Sequence, residues 1–247
     1  VTDFEFQMHP FDRNVLSGSI IWPYEQARDV LEFYAEWSAG LSDEMYVGPT
    51  TATTPDGVRV IMMDVVYNGD PVQGEKELAP LRKIGSPIAD GVVAQDYTVL
   101  QTNNDAAFGH GVRSYAKNGM VKEWTQGLVD IMLEADDPRI FIANLVAGGA
   151  VKRVGELDTA FPHRNAEIML VVVAGWMDPA QDDELFAACR AYYKAIEPHL
   201  GGYYGNIDFD QAAAKGNYGP AYERLSTVKG EYDPGNLFRL NSNIEPA

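Results

Sequence analysis

The sequence predicts an α+β fold, in which a large, mainly antiparallel β-sheet is covered by helices on one face. About seven β-biased runs and five or six helical runs are spread over the 247 residues, and successive strands are often joined by short turns. The hydrophobic content of 46% and the charged content of 22% are ordinary for a globular protein with a sizeable core. A doubly wound parallel sheet is disfavoured, because it needs a helix between successive strands.

The chain opens on an alternating pattern that predicts a half-buried strand over residues 1–10. Phe4, Phe6 and Met8 fall on one face, with polar residues between them. Because the chain starts inside a predicted strand, we expect it to be a piece of a longer protein.

A strand, a helix and a hairpin are predicted next. Residues 16–22 are β-biased, and residues 24–41 carry apolar side chains at helical spacing. The runs 44–53 and 58–69 are joined at Pro55-Asp56-Gly57, where glycine accepts the positive φ that a tight turn needs. These two runs therefore predict a β-hairpin.

The remaining elements alternate irregularly between helix and strand. We predict short helices over 71–85 and 96–105, an extended run over 111–121, an amphipathic helix over 122–137, strands over 139–151 and 166–176, a helix from Asp178 to about Leu200, a glycine-led strand or turn over 201–208, and a final helix over 218–232.

Charge and cysteine usage exclude several classes of partner. The chain has 36 acidic and 19 basic residues, and the formal charge of −17 repels phosphate backbones and anionic lipid headgroups. We therefore expect neither nucleic acid nor membrane as a partner. Cys189 is the single cysteine, which is typical of a buried apolar position and favours a cytoplasmic location.

The sequence lacks several common catalytic motifs. The sequence contains no G-x-S-x-G, P-loop, H-E-x-x-H or G-x-G-x-x-G pattern, and its four histidines lack the spacing of metal ligands, so no metal site is expected. The aromatic inventory is large, with 13 Tyr, 10 Phe and 4 Trp. Such residues line pockets for flat organic ligands but also fill ordinary cores.

The closing residues carry a more specific pattern. The run "YGPAYERLSTVKGEYDPGNLFRLNSNI", residues 218–244, resembles the C-terminal signature of the berberine bridge enzyme family of flavin-linked oxidases. Earlier segments, among them "GSIIWPYEQARDVLEFYAEW", "TAFPHR", "AGWMDP" and "YYGNID", resemble landmarks of that family in the same order. The resemblance covers essentially the whole chain.

The resemblance implies a division of the chain. Residues 1–15 would end a flavin-binding domain, residues 16–200 would form the substrate-binding domain, and residues 201–247 would return to the flavin domain. The substrate-domain sheet would lie over the isoalloxazine ring. With that partner domain absent from this chain, we expect residues 236–247 to be poorly ordered or bound to a neighbouring chain, with Phe238 as their anchor.

The resemblance also implies an activity. The whole enzyme would use FAD, pass hydride from a small organic substrate such as a sugar, alkaloid or polyketide to flavin N5, and return electrons to oxygen. In the family the pyrophosphate loop and the flavin attachment residues lie in the N-terminal half, so this chain alone is expected to be inactive. Two alternatives stay open, an oxygen-rejecting dehydrogenase and a non-catalytic cap domain that binds a small molecule or a protein. A homodimer is also left open.

Site residues follow from the same resemblance. Tyr204 and Asn206 match a Tyr-x-Asn element that brings a phenol and an amide toward flavin and substrate, so Tyr204 is a catalytic candidate and both are cofactor-binding candidates. Asn241 and Asn243, in the closing signature, are further cofactor-binding candidates. Ile207 stands where some relatives carry a second tyrosine that acts as the base.

The catalytic base is the least specific prediction. Val171 stands where some relatives carry a carboxylate or amide base, and Glu167 is the nearest carboxylate on the same face of that strand. Glu167 is therefore the candidate base, with a solvated charge at the strand edge as the alternative. His163 is interpreted as a brace for the sheet rather than as a catalytic group.

Overall fold

An open, eight-stranded sheet organises the computed structural model, which describes residues 2–8, 10–54, 56–105, 109–135, 137–207 and 214–247. The strand order is β4-β1-β3-β2-β7-β8-β6, and β5 also pairs with β1. Every strand pairing described is antiparallel, as predicted. The strands are β1 (Asn14–Pro23), β2 (Met45–Thr53), β3 (Arg59–Tyr67), β4 (Ala89–Asp90), β5 (Val93–Asp96), β6 (Arg113–Val121), β7 (Ile140–Val146) and β8 (Ile168–Trp176).

Helices cover one face of this sheet. The side chains that α1, α4 and α5 bury all join one core cluster with the inward side chains of the strands. The described α-helices are α1 (Ala27–Trp37), α2 (Pro71–Leu78), α3 (Tyr97–Gln101), α4 (Gln126–Glu134), α5 (Asp182–Ile196), α6 (Ala214–Tyr218) and α7 (Tyr222–Tyr232). No helix within these described ranges has the length and apolar character needed to cross a bilayer.

Local chemistry sets the element boundaries. The turn between β2 and β3 contains Gly57 at φ +85°, as the predicted hairpin requires, whereas Pro55 lies outside the described residues. Asp70 caps α2 by accepting a hydrogen bond from the Val72 backbone N–H at 2.8 Å, and Pro71 occupies the first helical turn.

The strand alternation gives the sheet two different faces. On β3, Met63 and Val65 belong to the core beneath the helices, so Met62, Asp64 and Val66 lie on the opposite face. We call this opposite side the open face. A second, smaller apolar cluster lies on it and comprises Ala116, Met120, Ala166, Met169 and Val171, with Phe161, Val173 and Tyr204 packed against them.

Cys189 on α5 is a core residue, as expected. Its side chain is fully buried, and this burial raises the pKa of the thiol to about 12. The thiol therefore stays protonated at neutral pH and acts as a small apolar group.

The prediction of a strand over residues 1–10 is wrong over its described part, residues 2–8 and 10. Residues 2–8 have no regular structure, and Phe4, Phe6 and Met8 are 75%, 73% and 77% exposed. Alternation determines which side chains would share a face, but a strand forms only beside a partner that satisfies its N–H and C=O groups. None of the strand pairings described in this chain involves residues 2–8.

The expectation for residues 236–247 is also wrong, since this segment packs on α7 of its own chain. The Ser226 hydroxyl donates to the Glu245 carbonyl at 2.6 Å, and the Ala247 N–H donates to the Ser226 carbonyl at 3.1 Å. No neighbouring chain is needed to hold it.

Phe238 is not the anchor of that segment, because its side chain is 78% exposed. Asp233 holds the turn instead. Its carboxylate accepts from the N–H groups of Leu237 at 2.8 Å and Phe238 at 3.0 Å, and it also pairs with Lys229. These contacts lower the pKa of Asp233 to about 2, with the hydrogen bond from Lys229 as the main cause. The division at residues 15 and 200 stays a prediction.

Candidate functional site

The segment that carries Tyr204 is attached to the free edge of β6. The Gly201 N–H donates to the Met120 carbonyl at 2.7 Å, and the Met120 N–H donates to the Gly202 carbonyl at 2.8 Å. Gly202 has φ +144°, and a Cβ there would lie 2.5 Å from Cε1 of His163. Only glycine allows this close approach. The segment continues as an irregular turn, so the strand alternative for residues 201–208 is wrong over its described part, residues 201–207.

Asn118 on β6 fixes the backbone of Tyr204. The Tyr204 N–H donates to Asn118 Oδ1 at 2.7 Å, and Asn118 Nδ2 donates to the Tyr204 carbonyl at 2.9 Å. Asn118 is fully buried, and both polar atoms of its side-chain amide form these hydrogen bonds. Asn118 is not among the site residues predicted from the sequence. The available signal was an amide in the middle of the extended run 111–121.

The side chains of Tyr204 and Asn206 are in direct contact. Asn206 Nδ2 donates to the Tyr204 hydroxyl oxygen at 2.7 Å. The Tyr204 ring meets Phe161 edge-on, with 6.1 Å between ring centroids, and packs on the apolar cluster that contains Met169 and Val171. The bond from Asn206 uses only the oxygen of the Tyr204 hydroxyl, so the O–H group can still donate a hydrogen bond.

His163 ties this arrangement to α6, and its role as a brace for the sheet stays an interpretation. Its Nε2 donates to the Asn217 carbonyl at 2.8 Å, and its ring lies edge-on to Phe161. Burial lowers the pKa of His163 and outweighs the opposing hydrogen bonds to the backbone of Asn217 and Tyr203. Through the Nε2–H bond to the Asn217 backbone, the His163 imidazole holds the loop in position.

The closing segment lies beside the Tyr204 loop. A Cβ added to Gly205 would lie 3.0 Å from Ser242 Oγ, so these two positions are adjacent. The Asn243 N–H donates to the Asn241 carbonyl at 2.8 Å, which holds both predicted asparagines in one turn. Asn243 Oδ1 is buried and has no hydrogen-bond partner among the described residues. The arrangement thus leaves a buried acceptor in the segment that adjoins the loop.

Glu167 lies apart from this group. It precedes β8 and forms an ion pair with Lys152, with 2.5 Å between Oε1 and Nζ. It lines a cavity of about 460 Å³ beside Trp124 and the end of α1. Tyr204 lines a different cavity of about 200 Å³ with Phe161 and Asn206. The ion pair and the separate cavity favour the alternative of an edge charge.

Asp64 on β3 is a carboxylate of the open face that the sequence analysis did not single out. The Ser19 hydroxyl donates to Asp64 Oδ1 at 2.6 Å, and Thr50 also hydrogen-bonds the carboxylate. Burial raises the pKa of Asp64, against the lowering effect of these two hydroxyls. The available signal was one aspartate inside the apolar run "RVIMMDVVY".

The chain matches known flavin-linked proteins over its whole length. The family model described as "Berberine and berberine like" matches residues 202–245. An FAD-linked oxidoreductase of Dictyostelium discoideum is 27% identical over 255 residues, which cover 100% of this chain and 55% of that protein. The (R)-6-hydroxynicotine oxidase of Paenarthrobacter nicotinovorans is 24% identical over 273 residues, covering 100% of this chain and 57% of that protein. The chain therefore spans about half the length of these curated relatives.

Solved structures share the fold. A berberine bridge enzyme-like protein of Arabidopsis thaliana has a TM-score of 0.79 at 17% identity, covering 95% of this chain and 56% of that one. Berberine bridge enzyme from Eschscholzia californica has a TM-score of 0.76 at 18% identity, covering 95% and 55%.

The open antiparallel sheet with helices on one face is the architecture of the substrate-binding domain in these FAD-linked oxidoreductases. Residues 202–245 match the berberine family model, and the whole chain is similar to the C-terminal part of FAD-linked oxidoreductases of the berberine bridge enzyme-like kind.

Proposed function

We propose that this chain supplies the substrate-binding part of an FAD-dependent oxidase that removes hydride from a small organic molecule. The observation that carries the proposal is the Tyr204 hydroxyl, held at 2.7 Å by Asn206 beside the apolar cluster of the open face. A phenol with an oriented proton next to an apolar surface suits a substrate that has one polar oxygen and an apolar body.

The residues present fit a flavin ring at this position. The buried Asn243 Oδ1 is an acceptor without a partner among the described residues, so it has capacity for a hydrogen bond from a bound ring. The isoalloxazine edge offers both N–H and C=O groups, which amides match. Asn206, Asn241 and Asn243 would hold the ring, and Tyr204 would face the substrate. FAD, when bound, supplies the two-electron acceptor and its reoxidation by oxygen.

The chain's own residues would bind and orient the substrate. Asn206 fixes the oxygen of the Tyr204 hydroxyl, so the phenolic proton is free to donate to a substrate oxygen. Met169 and Val171 would cover the apolar part and keep water away from it. A proton lost from the substrate would pass to water, either directly or through the Tyr204 hydroxyl, which would release its own proton to water as it accepts one; Glu167 is paired with Lys152.

The test uses the full-length protein that is expected to contain this chain. We expect a flavin absorbance band, bleaching of that band under anaerobic conditions with an oxidisable substrate, and peroxide when oxygen is admitted. Tyr204→Phe should slow bleaching roughly tenfold to hundredfold, because it removes one transition-state hydrogen bond. Tyr97→Phe is the matched control, since Tyr97 is partly exposed on α3 and its ring contact with Phe11 survives the change.

Three results would separate the alternatives. A colourless, flavin-free protein would contradict the enzyme proposal and favour the cap domain. Bleaching without peroxide would indicate a dehydrogenase. Equal rates for Tyr204→Phe and the unmodified protein would remove Tyr204 from the catalytic group.

A further inference from the structure

Asp64 occupies a central position on the open face. In the sheet register it pairs with Ser19 on β1 and with Gly48 on β2. Its chain neighbours Met63 and Val65 point to the helices, so the Asp64 carboxylate points to the open face. An ionised group in such a half-buried position is costly unless it is compensated.

The compensation within the chain is incomplete. Two neutral hydroxyls, of Ser19 and Thr50, hydrogen-bond the carboxylate. No arginine, lysine or histidine among the described residues forms an ion pair with it, although other aspartates of the chain are paired in this way. A carboxylate offers about four acceptor positions, so it retains capacity for a further donor.

An aromatic ring stands next to the carboxylate. Tyr46 on β2 is the diagonal cross-strand neighbour of Asp64 on the same face, because Tyr46 pairs with Val66 and Gly48 pairs with Asp64. The Tyr46 hydroxyl donates to the Asn144 carbonyl at 3.3 Å, which fixes the ring. The charge of Asp64 adds to burial in raising the pKa of Tyr46 to about 12, so the phenol stays neutral. An anionic oxygen beside a neutral aromatic ring is a recognised environment for an ammonium group.

The position is compatible with the Tyr204 site on the same face. Asp64 lies on β3 and Val171 on β8, with β2 and β7 between them in the sheet. Three strand spacings of about 4.8 Å correspond to roughly 14 Å across the face. A molecule of two or three rings can reach both ends.

We propose that Asp64 is the anchor for a protonated amine of the substrate, so that the carboxylate and the Tyr46 ring hold the cation while the oxidisable end lies toward Tyr204. The inference rests on the proposed function, because it treats the open face as the substrate face. The charge of −17 further favours a cationic ligand over an anionic one.

Ligand binding to the full-length protein tests this anchor independently of turnover. The probes are 2-phenylethylamine and 2-phenylethanol, which share shape and differ in charge. Dissociation constants are measured by titration calorimetry, or by ligand-observed NMR where binding is weak. Asp64→Asn keeps the size of the side chain and removes its charge. Asp56→Asn is the matched control, because Asp56 is an exposed aspartate in the turn of the same β2–β3 hairpin.

We expect the unmodified protein to bind the amine about tenfold to hundredfold more tightly than the alcohol, as for one hydrogen bond to a charged group. The preference should disappear in Asp64→Asn and persist in Asp56→Asn, with both variants folded by circular dichroism. A preference that survives in Asp64→Asn, or one that is absent from the unmodified protein, overturns the inference.

The two proposals fail in different ways. A flavin-free protein that still shows the Asp64-dependent amine preference contradicts the oxidase but retains the anchor. A flavoprotein that oxidises substrates without that preference retains the oxidase and removes the anchor.

Discussion

The two faces of the sheet differ in how they are completed. The helix-covered face is closed by the chain itself, and side chains such as Trp22, Leu31 and Leu128 are fully buried there. The open face carries a smaller apolar cluster, an aspartate without an ion pair in the described structure, and exposed apolar groups such as Leu145. The helix-covered face therefore stabilises the fold, and the open face retains polar and apolar groups that a ligand can contact.

The largest expected effect contrasts the same substitution on the two faces. Leu128→Ala on α4 removes a fully buried side chain and should lower the free energy of unfolding by about 2–5 kcal/mol. Leu145→Ala on β7 should cost less than about 1 kcal/mol, because Leu145 is 41% exposed. Urea unfolding followed by circular dichroism measures both. Equal losses for the two variants would contradict the distinction between the faces.

A smaller effect concerns pH and two aspartates of one hairpin. Burial raises the pKa of Asp64, so the folded state binds this proton more tightly than the unfolded state does. Protonated Asp64 therefore contributes its full stabilisation of the folded state below the unfolded pKa of about 3.9. This stabilisation is lost as pH rises through the folded pKa. Asp64→Asn should therefore gain stability relative to the unmodified protein as pH rises from 3 to 7. Tyr46, the titratable group facing Asp64, stays protonated over this range.

Asp56→Asn should show the opposite trend. The hydrogen bond from Thr54 lowers the pKa of Asp56, so its contribution is present above the unfolded pKa and is lost as pH falls. Urea midpoints at several pH values measure both differences. Parallel trends for Asp64→Asn and Asp56→Asn would show that Asp64 is not destabilised by burial.

Periodicity and turn chemistry were sufficient to predict most elements of the sheet and its helices. The hairpin at Gly57 and the helix ending near Leu200 follow from local rules that the tertiary structure does not override. The strand predicted over residues 1–10 failed, because alternation carries no information about whether a pairing strand is present. Phe238 failed as an anchor because a polar turn at Asp233 holds the closing segment.

The site was only partly predictable for a similar reason. Tyr204 and Asn206 are two positions apart in the sequence, so a short motif could connect them. Asn118 and Tyr204 are 86 positions apart, and Asp64 and Ser19 are 45 apart, so their contacts depend on strand order and register. Neither strand order nor register can be read from a local sequence pattern.

We propose that flavin and substrate bind at the open face, beside the Tyr204 loop and the closing segment. Hydrogen–deuterium exchange of the full-length protein, prepared with and without flavin, measures whether these segments contact the cofactor. We predict slower exchange with flavin at residues 203–206 and 241–243, and unchanged exchange in α1 and α4. Protection confined to the cavity between α1 and residues 122–129, with residues 203–206 unchanged, would contradict the account.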